Sequence, residues 1–231
     1  MKYFINLSFL LLAFNSISAQ NQIIAQVIEK QKPHIMQIPI IFDKQRKALT
    51  LEYMQQHYAM TQTEPTIIPK MVVVHWTVIP TLEQTFATFN PATLSSSRNK
   101  IKSASALNVS SQFVIDRGGT IYQLLPETTM ARHVIGLNHA AIGIENIADG
   151  KELPMTPAQL DANTMLITYL MGKYNIEHVI GHSEYQLFKN HPLWKEKDEN
   201  YITHKTDPDI EFMHKLRARL PAGILKPLPT L

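Results

Sequence analysis

The chain alternates between short apolar runs and longer segments in which apolar residues recur at helical spacing. Residues 71–77 form the most apolar run, and their β-branched side chains predict a central strand that is buried on both faces. Residues 141–147 form a second run, in which Gly143 predicts a close approach by another part of the chain. A third run, residues 179–180, predicts a short strand that ends just before His182.

One tight turn and one strong helix are also predicted. Residues 112–115 and 120–124 flank the sequence Asp-Arg-Gly-Gly at 116–119, which predicts a β-hairpin because glycine accepts positive φ. Residues 156–174 have the clearest helical pattern, with Thr156 as the N-cap and proline at the first helical position. The predicted apolar face of this helix consists of Leu160, Met165, Leu166, Tyr169 and Leu170.

Weaker patterns predict further helices at residues 44–57, 81–89 and 208–220, and one loose helix within residues 20–37. Strands interspersed with helices in this way are typical of an α/β domain. The predicted fold class is therefore α/β, with a central mixed β-sheet flanked by helices.

The first residues of the chain predict a secretory signal peptide at 1–19. Lys2 supplies a positive charge, and residues 4–14 form an apolar stretch that is too short to span a bilayer. Small residues follow, and we expect cleavage after Ala19; the alternative is a buried N-terminal helix. The chain has no cysteine, which excludes disulfides and a bacterial lipid anchor. An exported protein without disulfides fits a bacterial periplasm or the bacterial exterior.

Length and composition suit either one large domain or one domain with an N-terminal extension, since the chain has 231 residues and is 45% apolar. We expect a partly helical N-terminal extension at 20–66, the main domain at 67–220 and a loosely held Pro-rich tail at 221–231. The formal net charge is +3, and no block of basic residues argues for nucleic-acid binding. The sequence pI of about 9.0 weakly favours a mildly anionic partner such as a cell-wall polymer.

Candidate metal ligands lie at the ends of predicted strands and in one loop. His75 ends the strand at 71–77, His182 follows the strand at 179–180, and Asp207 lies before a proline. Two imidazoles and one carboxylate are a suitable ligand set for Zn²⁺, with a fourth position left for water. The alternatives are a surface or core role for each histidine, as for most of the ten in the chain, and helix capping by Asp207.

Five short motifs in this chain occur in the order found in a known family. On these motifs, which span about residues 70–215, the chain resembles the zinc-dependent N-acetylmuramoyl-L-alanine amidases of the type 2 class. That class shares its fold with peptidoglycan recognition proteins. The motifs are His75-Trp76-Thr77, the segment 109–119, Ile142-Gly143-Ile144-Glu145, Gly181-His182-Ser183 and Lys205-Thr206-Asp207-Pro208.

The resemblance implies an enzyme that hydrolyses the amide between N-acetylmuramic acid and L-alanine in peptidoglycan. It implies that His75, His182 and Asp207 bind Zn²⁺. It also implies that Glu145 is the general base for the attacking water and that Lys205 stabilises the oxyanion. The ordinary alternatives are an edge carboxylate for Glu145 and a solvated cation for Lys205.

The resemblance also points to substrate contacts and to departures from the family pattern. His133 and Asn138 fall where the family often has substrate-contacting residues. Arg132 stands where many relatives carry tryptophan, and Asp209 stands where many have glycine. A charged insert at 189–201 lies between two of the motifs. These departures bear on substrate preference and leave every proposed ligand in place.

Two other functions remain open at this point. One is a non-catalytic peptidoglycan-binding module of the same fold, and the other is a zinc peptidase of a different type. The complete ligand set together with Glu145 and Lys205 favours the enzyme, because a receptor needs no group that activates water. The chain has no His-Glu-x-x-His motif, which argues against the commonest zinc peptidases. The expected partner is peptidoglycan or a muropeptide, with no nucleic acid and no transmembrane anchor.

Overall fold

A computed structural model describes residues 32–95 and 104–230 of the chain. The signal peptide predicted at 1–19 lies outside the described residues, as does the part of the extension at 20–31. Within the two described ranges, no helix combines the length and apolar character needed to cross a membrane.

Six strands form one sheet, in the order β1-β4-β3-β5-β2-β6. Strands β3 and β4 pair antiparallel, whereas the other neighbours pair parallel, so the predicted mixed sheet is confirmed. The predicted hairpin is also confirmed, and Gly119 in its turn has a φ of +87°. The strands are β1 Ile35–Gln37, β2 Met71–Trp76, β3 Phe113–Ile115, β4 Ile121–Gln123, β5 Ala141–Asn146 and β6 His178–Gly181.

Four α-helices and one 3₁₀-helix surround this sheet in the described part of the chain. They are α1 Lys44–Tyr58, α2 Leu82–Phe89, the 3₁₀-helix His182–Phe188, α3 Pro157–Lys173 and α4 Ile210–Arg219. The predicted α/β fold class is therefore confirmed. The 3₁₀-helix was not among the elements that the sequence pattern indicates.

Helix α3 begins as its sequence predicts, but its buried face is partly polar. The Thr156 hydroxyl accepts a hydrogen bond from the Gln159 amide, and the Gln159 side chain bonds back to the Thr156 amide, forming a capping box. The predicted apolar face is wrong at Met165, which is 52% exposed. Gln159 and Asn163 are buried instead, and Asn163 donates to the Asn146 side chain of β5.

The two faces of the sheet pack against different helices. One face carries Val72 and Ile144 and is covered by α3 and α4. The other face carries Met71 and Val73 and is covered by α1 and the 3₁₀-helix. Side chains that seal this second face include Tyr53, Met54, Tyr185 and Phe188.

Three expectations at the ends of the chain change with the structure. Residues 35–37 form the edge strand β1 rather than part of a loose helix. Helix α4 begins at Ile210 and not at 208, and Asp209 is its N-cap. The Pro-rich tail is held at Lys226, whose backbone amide donates to the Glu177 carbonyl over 2.9 Å.

Candidate metal centre and active site

Strand register brings three of the predicted site residues to one edge of the sheet. His75 pairs with Glu145 in the parallel register of β2 and β5, so the two side chains lie on the same face. Strand β6 also runs parallel to β2, with Val74 opposite Gly181. His182 follows Gly181 directly and therefore emerges beside His75 at the carboxyl ends of the strands.

The third predicted ligand joins the two histidines in space. The Nδ1 atoms of His75 and His182 are 2.9 Å apart. The Oδ2 atom of Asp207 lies 3.2 Å from the His182 Nδ1 and 3.4 Å from the His75 Nδ1. All three side chains are buried, and among the described residues they are the one His/Cys/Asp/Glu group with the spacing of a metal site.

The spacing of these donor atoms fits a tetrahedral zinc site. Ligand atoms about 2.0–2.2 Å from Zn²⁺ at tetrahedral angles lie about 3.3 Å from one another. The observed separations of 2.9 to 3.4 Å lie close to this value. Two imidazoles and one carboxylate also leave a fourth position open, as in catalytic zinc sites.

The electrostatics around His182 and Asp207 hold both side chains in forms suited to binding a metal ion. Burial, together with the nearby His75, lowers the pKa of His182 to about 3, so this imidazole is neutral. Burial alone would raise the pKa of Asp207, but its hydrogen bonds with His182 and His75 outweigh burial and hold the pKa well below the ordinary value. A neutral imidazole and an ionised carboxylate are the states that coordinate a cation.

Contacts between the two ligand-bearing segments fix Asp207. The Ser183 amide donates to the Asp207 carbonyl over 2.8 Å, which ties the start of the 3₁₀-helix to the loop before α4. The buried Tyr185 hydroxyl donates to the Thr203 carbonyl and accepts from the Thr203 amide, at 2.6 and 2.9 Å. Asp207 itself does not cap α4, because the cap is the Asp209 carboxylate, 2.8 Å from the Phe212 amide.

Glu145 and Lys205 line the same cleft as the three candidate ligands. The cleft is open to solvent on one side and spans about 660 Å³. The positive charge of Lys205 lies close enough to His182 to contribute to lowering its pKa. The structure therefore brings all five residues of the predicted catalytic and metal set together.

The two predicted substrate-contacting residues have different surroundings. His133 lines the cleft, and its Nδ1 lies 3.0 Å from the Nε2 of His75. Burial lowers the pKa of His133 well below its ordinary value, so the ring is neutral. Asn138 is fully buried, and its side-chain amide bonds to the His133 and Val134 amides and to the Tyr58 hydroxyl. Contact with substrate stays a prediction for both residues.

Apolar residues that the sequence did not single out as site residues also line the cleft. Phe89 at the end of α2 and Val109 belong to its wall. Val78 lies at the rim, is 70% exposed and has a φ of +57°. Sequence spacing carries no signal for these positions, because only the folded chain brings the end of α2 and two loops to the sheet edge.

The fold and site can be compared with known proteins. The sequence model of the N-acetylmuramoyl-L-alanine amidase family matches residues 63–209. The chain belongs to this family. Its members are enzymes that act on peptidoglycan, so the predicted enzyme class and its substrate class are confirmed. No curated protein matches the chain.

Solved structures of similar fold come from bacterial amidases and an insect recognition protein. N-acetylmuramoyl-L-alanine amidase LysC from Clostridium intestinale URNW is 22% identical, covers 80% of this chain and 99% of its own, and has a TM-score of 0.50. LysCS, an endolysin amidase from the same organism, is 22% identical, covers 80% of this chain and 96% of its own, and has a TM-score of 0.49. Bumblebee PGRP-SA is 18% identical, covers 86% of this chain and 100% of its own, and has a TM-score of 0.47. The LysC comparison shows that the fold is shared.

Proposed function

We propose that this peptidoglycan amidase is an exported zinc enzyme that cleaves the amide between N-acetylmuramic acid and the L-alanine of the stem peptide. The observation that supports zinc is the convergence of His75, His182 and Asp207, whose donor atoms have tetrahedral spacing. Zn²⁺ held by these residues would polarise the scissile carbonyl and lower the pKa of a water molecule to about 7.

Two further residues of the cleft complete the proposed reaction. Glu145 accepts a proton from the attacking water and passes it to the leaving amine, which must be protonated for the C–N bond to break. Lys205 stabilises the negative charge that develops on the carbonyl oxygen only in the tetrahedral state. Because Glu145 is in register with His75, both groups face the same side of the sheet edge.

The burial of the three proposed ligands supports a reaction that takes place away from bulk water. The three ligands are shielded from solvent, so a substrate that fills the cleft completes the exclusion of water from the reacting bond. His133 and Asn138 remain proposed substrate contacts, Asn138 through the shape that it gives to the segment at 133–134. Export rests on the signal peptide predicted at 1–19 and places the enzyme in the compartment of its polymer.

The deciding experiment is digestion of purified sacculi followed by mass spectrometry of the products. We expect free stem peptides with an L-alanine N-terminus and intact glycan strands. The release of new reducing sugar ends would instead identify a glycosidase and contradict the proposal. Purified protein should contain about one zinc per chain, as expected for one three-ligand site.

A matched pair of carboxylate variants tests the role of Glu145. Glu145→Gln keeps the shape of the side chain but removes the base, so we expect zinc content to be unchanged and kcat to fall by about 10²–10⁴-fold. Glu152→Gln changes an exposed carboxylate on the loop after β5 and should leave kcat unchanged. Equal activity of the two variants would remove Glu145 from the mechanism.

Export is tested separately. Secreted or periplasmic protein should begin at residue 20 when its N-terminus is sequenced, because the expected cleavage follows Ala19. An N-terminus that still carries residues 1–19 would contradict the signal peptide.

A further inference from the structure

We infer that His133 is a positioning residue for the metal ligand His75, which it orients by accepting a hydrogen bond from the far side of the imidazole. This inference rests on the zinc site of the proposed function. It gives His133 a role that acts through a ligand, in addition to any contact with substrate.

The direction of the hydrogen bond follows from the position of the ring nitrogens. The Nδ1 of His75 faces His182 and Asp207, so it must carry a lone pair to bind a cation there. The hydrogen of a neutral imidazole then lies on Nε2, which is 3.0 Å from the Nδ1 of His133. The two ring planes are nearly perpendicular, at 86°, so the N–H of one ring can address the in-plane lone pair of the other.

The far nitrogen of His133 fits the same direction. When Nδ1 accepts, Nε2 carries the hydrogen and points to the Ala141 carbonyl oxygen, 3.4 Å away. The relay therefore runs from the His75 N–H through His133 to a backbone acceptor. Metal-binding histidines ordinarily donate their second N–H to a carboxylate, a carbonyl or water, and the acceptor here is a second imidazole.

The fold is built to hold the His133 ring in this place. A Cβ on Gly143 would lie 2.8 to 2.9 Å from three ring atoms of His133, so only glycine lets the ring approach strand β5. The Asn138 Oδ1 accepts from the backbone amides of His133 and Val134, at 2.9 and 2.8 Å. The Gln112 side chain accepts from the Gly143 amide over 2.7 Å and so fixes the strand under the ring.

The relay stabilises one tautomer of His75. Without an acceptor beyond Nε2, a neutral imidazole is divided between two tautomers, of which only one presents a lone pair at Nδ1. The ring is also free to rotate when the second nitrogen has no partner. Loss of such outer contacts lowers metal affinity by about 10–100-fold in other metal sites. We therefore expect His133 to contribute to zinc affinity independently of turnover.

The test compares two replacements of His133 by their zinc dissociation constants, measured with the full chain against a chromogenic chelator. His133→Asn places an amide oxygen where Nδ1 stands and keeps an acceptor, so we expect an affinity within about threefold of the wild type. His133→Leu has similar volume but no acceptor, and we expect zinc to bind about 10–100-fold more weakly. If the leucine variant does not fold, His133→Ala takes its place.

His139→Leu is the control for packing. His139 is also a buried histidine of the same segment, but its ring packs edge-on against Tyr58 and contacts no ligand. We expect this variant to lose thermal stability without losing zinc affinity. Equal zinc affinities for His133→Leu and His133→Asn, whether both normal or both weakened, would overturn the inference and leave the proposed function standing. A wild-type chain that binds no zinc would overturn both.

Discussion

Two aspartates that are two positions apart make different contacts, so substituting each of them gives a sharp test of the proposed metal site. Asp207 lies against His75 and His182, whereas Asp209 accepts from the Phe212 amide at the start of α4. We expect Asp207→Ala to abolish stoichiometric zinc binding and turnover, because it removes the single anionic member of the proposed ligand set.

Asp209→Ala should behave in the opposite way. Loss of an N-cap costs about 1 kcal/mol of folding stability, but the ligand set stays complete. Zinc analysis and urea unfolding of both variants check the expectation. A zinc-loaded Asp207→Ala variant, or a metal-free Asp209→Ala variant, would contradict the assignment.

Strain at Val78 leads to a second prediction at the residue scale. A β-branched residue at a φ of +57° is in a region that glycine occupies without steric cost. The other non-glycine residue with positive φ in the described chain, Ala59, ends helix α1, whereas Val78 ends no helix. Val78→Gly should raise stability by about 1 kcal/mol, seen as an increase of about 2–4 °C in Tm.

Val78→Ala is the control for this substitution. It keeps a Cβ in the left-handed region and should gain less than the glycine variant. A Tm that is unchanged or lower in Val78→Gly would contradict the expectation that relief of strain outweighs the larger unfolded-state entropy of glycine. Because Val78 lies at the cleft rim, activity measured beside Tm shows whether the side chain also serves the substrate.

Among single residues, the sequence indicated the polar side chains that follow a predicted strand. His75 and His182 each follow an apolar run, and Asp207 precedes a proline, so their convergence was predictable. The positive φ of Val78 and the packing of the His133 ring against Gly143 were not predictable, because both depend on contacts between distant segments. Gly143 alone gave a signal, as a glycine inside a buried strand.

Among the elements, the 3₁₀-helix is also tied to α4 by one ion pair. The Glu184 carboxylate accepts from Arg217 of α4 at 2.8 and 3.0 Å, and also from the Gly181 amide at the end of β6. The pair thus ties the residues next to His182 to α4. Arg217→Met removes one partner and leaves a carboxylate that is 8% exposed, so we expect a loss of about 3 kcal/mol in unfolding free energy.

Arg219→Met is a matched control two residues further along the same helix. Arg219 pairs with Asp161, but both side chains are largely exposed, at 48% and 66%. Surface pairs of this kind contribute about 0–1 kcal/mol. Urea unfolding should therefore separate the two variants, and similar losses in both would show that the Glu184 pair is not the anchor.

Elements with end signals were predictable, and elements defined by long-range packing were not. Thr156 and its following proline marked the start of α3 in the sequence. Residues 182–188 have no helical periodicity, and they form a 3₁₀-helix because Tyr185 and Phe188 are buried against the sheet. In α1, the buried set mixes Arg46 and Thr50 with aromatic residues, so the helix has no apolar stripe that would indicate a core position.

At the scale of the whole molecule, the extension and the charged insert meet in one buried ion pair. His57 of α1 bonds to Glu196 of the insert over 2.8 Å and to the Ala104 carbonyl over 3.0 Å. Burial lowers the pKa of His57, but these hydrogen bonds outweigh it, and the net pKa is raised. The contact between the two segments therefore includes one imidazole whose protonated form is stabilised by the fold.

The sign of this shift sets a pH dependence of stability. A raised folded pKa stabilises the fold at pH values below the unfolded pKa of about 6.5, and the stabilisation is lost as pH rises through the folded pKa. The unfolding free energy of the wild type should exceed that of His57→Gln at low pH, and the difference should shrink above about pH 6.5. A difference that stays constant across this range would show that the pair is not charged.

The family model matches residues 63–209, but the hydrophobic core includes residues on both sides of this range. Tyr53 and Met54 of α1, and Met213 and Leu216 of α4, are all 0% exposed and lie on opposite faces of the sheet. Burial of each such side chain stabilises the fold by about 1.5–3 kcal/mol. The combined contribution of the four is therefore comparable to the whole unfolding free energy of a typical domain, about 5–15 kcal/mol.

A chain cut to residues 63–209 lacks these four side chains and should show no cooperative unfolding transition. A chain of residues 32–230 keeps both helices and should unfold like the full-length protein, and a cooperative transition in the shorter chain would show that α1 and α4 are accessory to the domain.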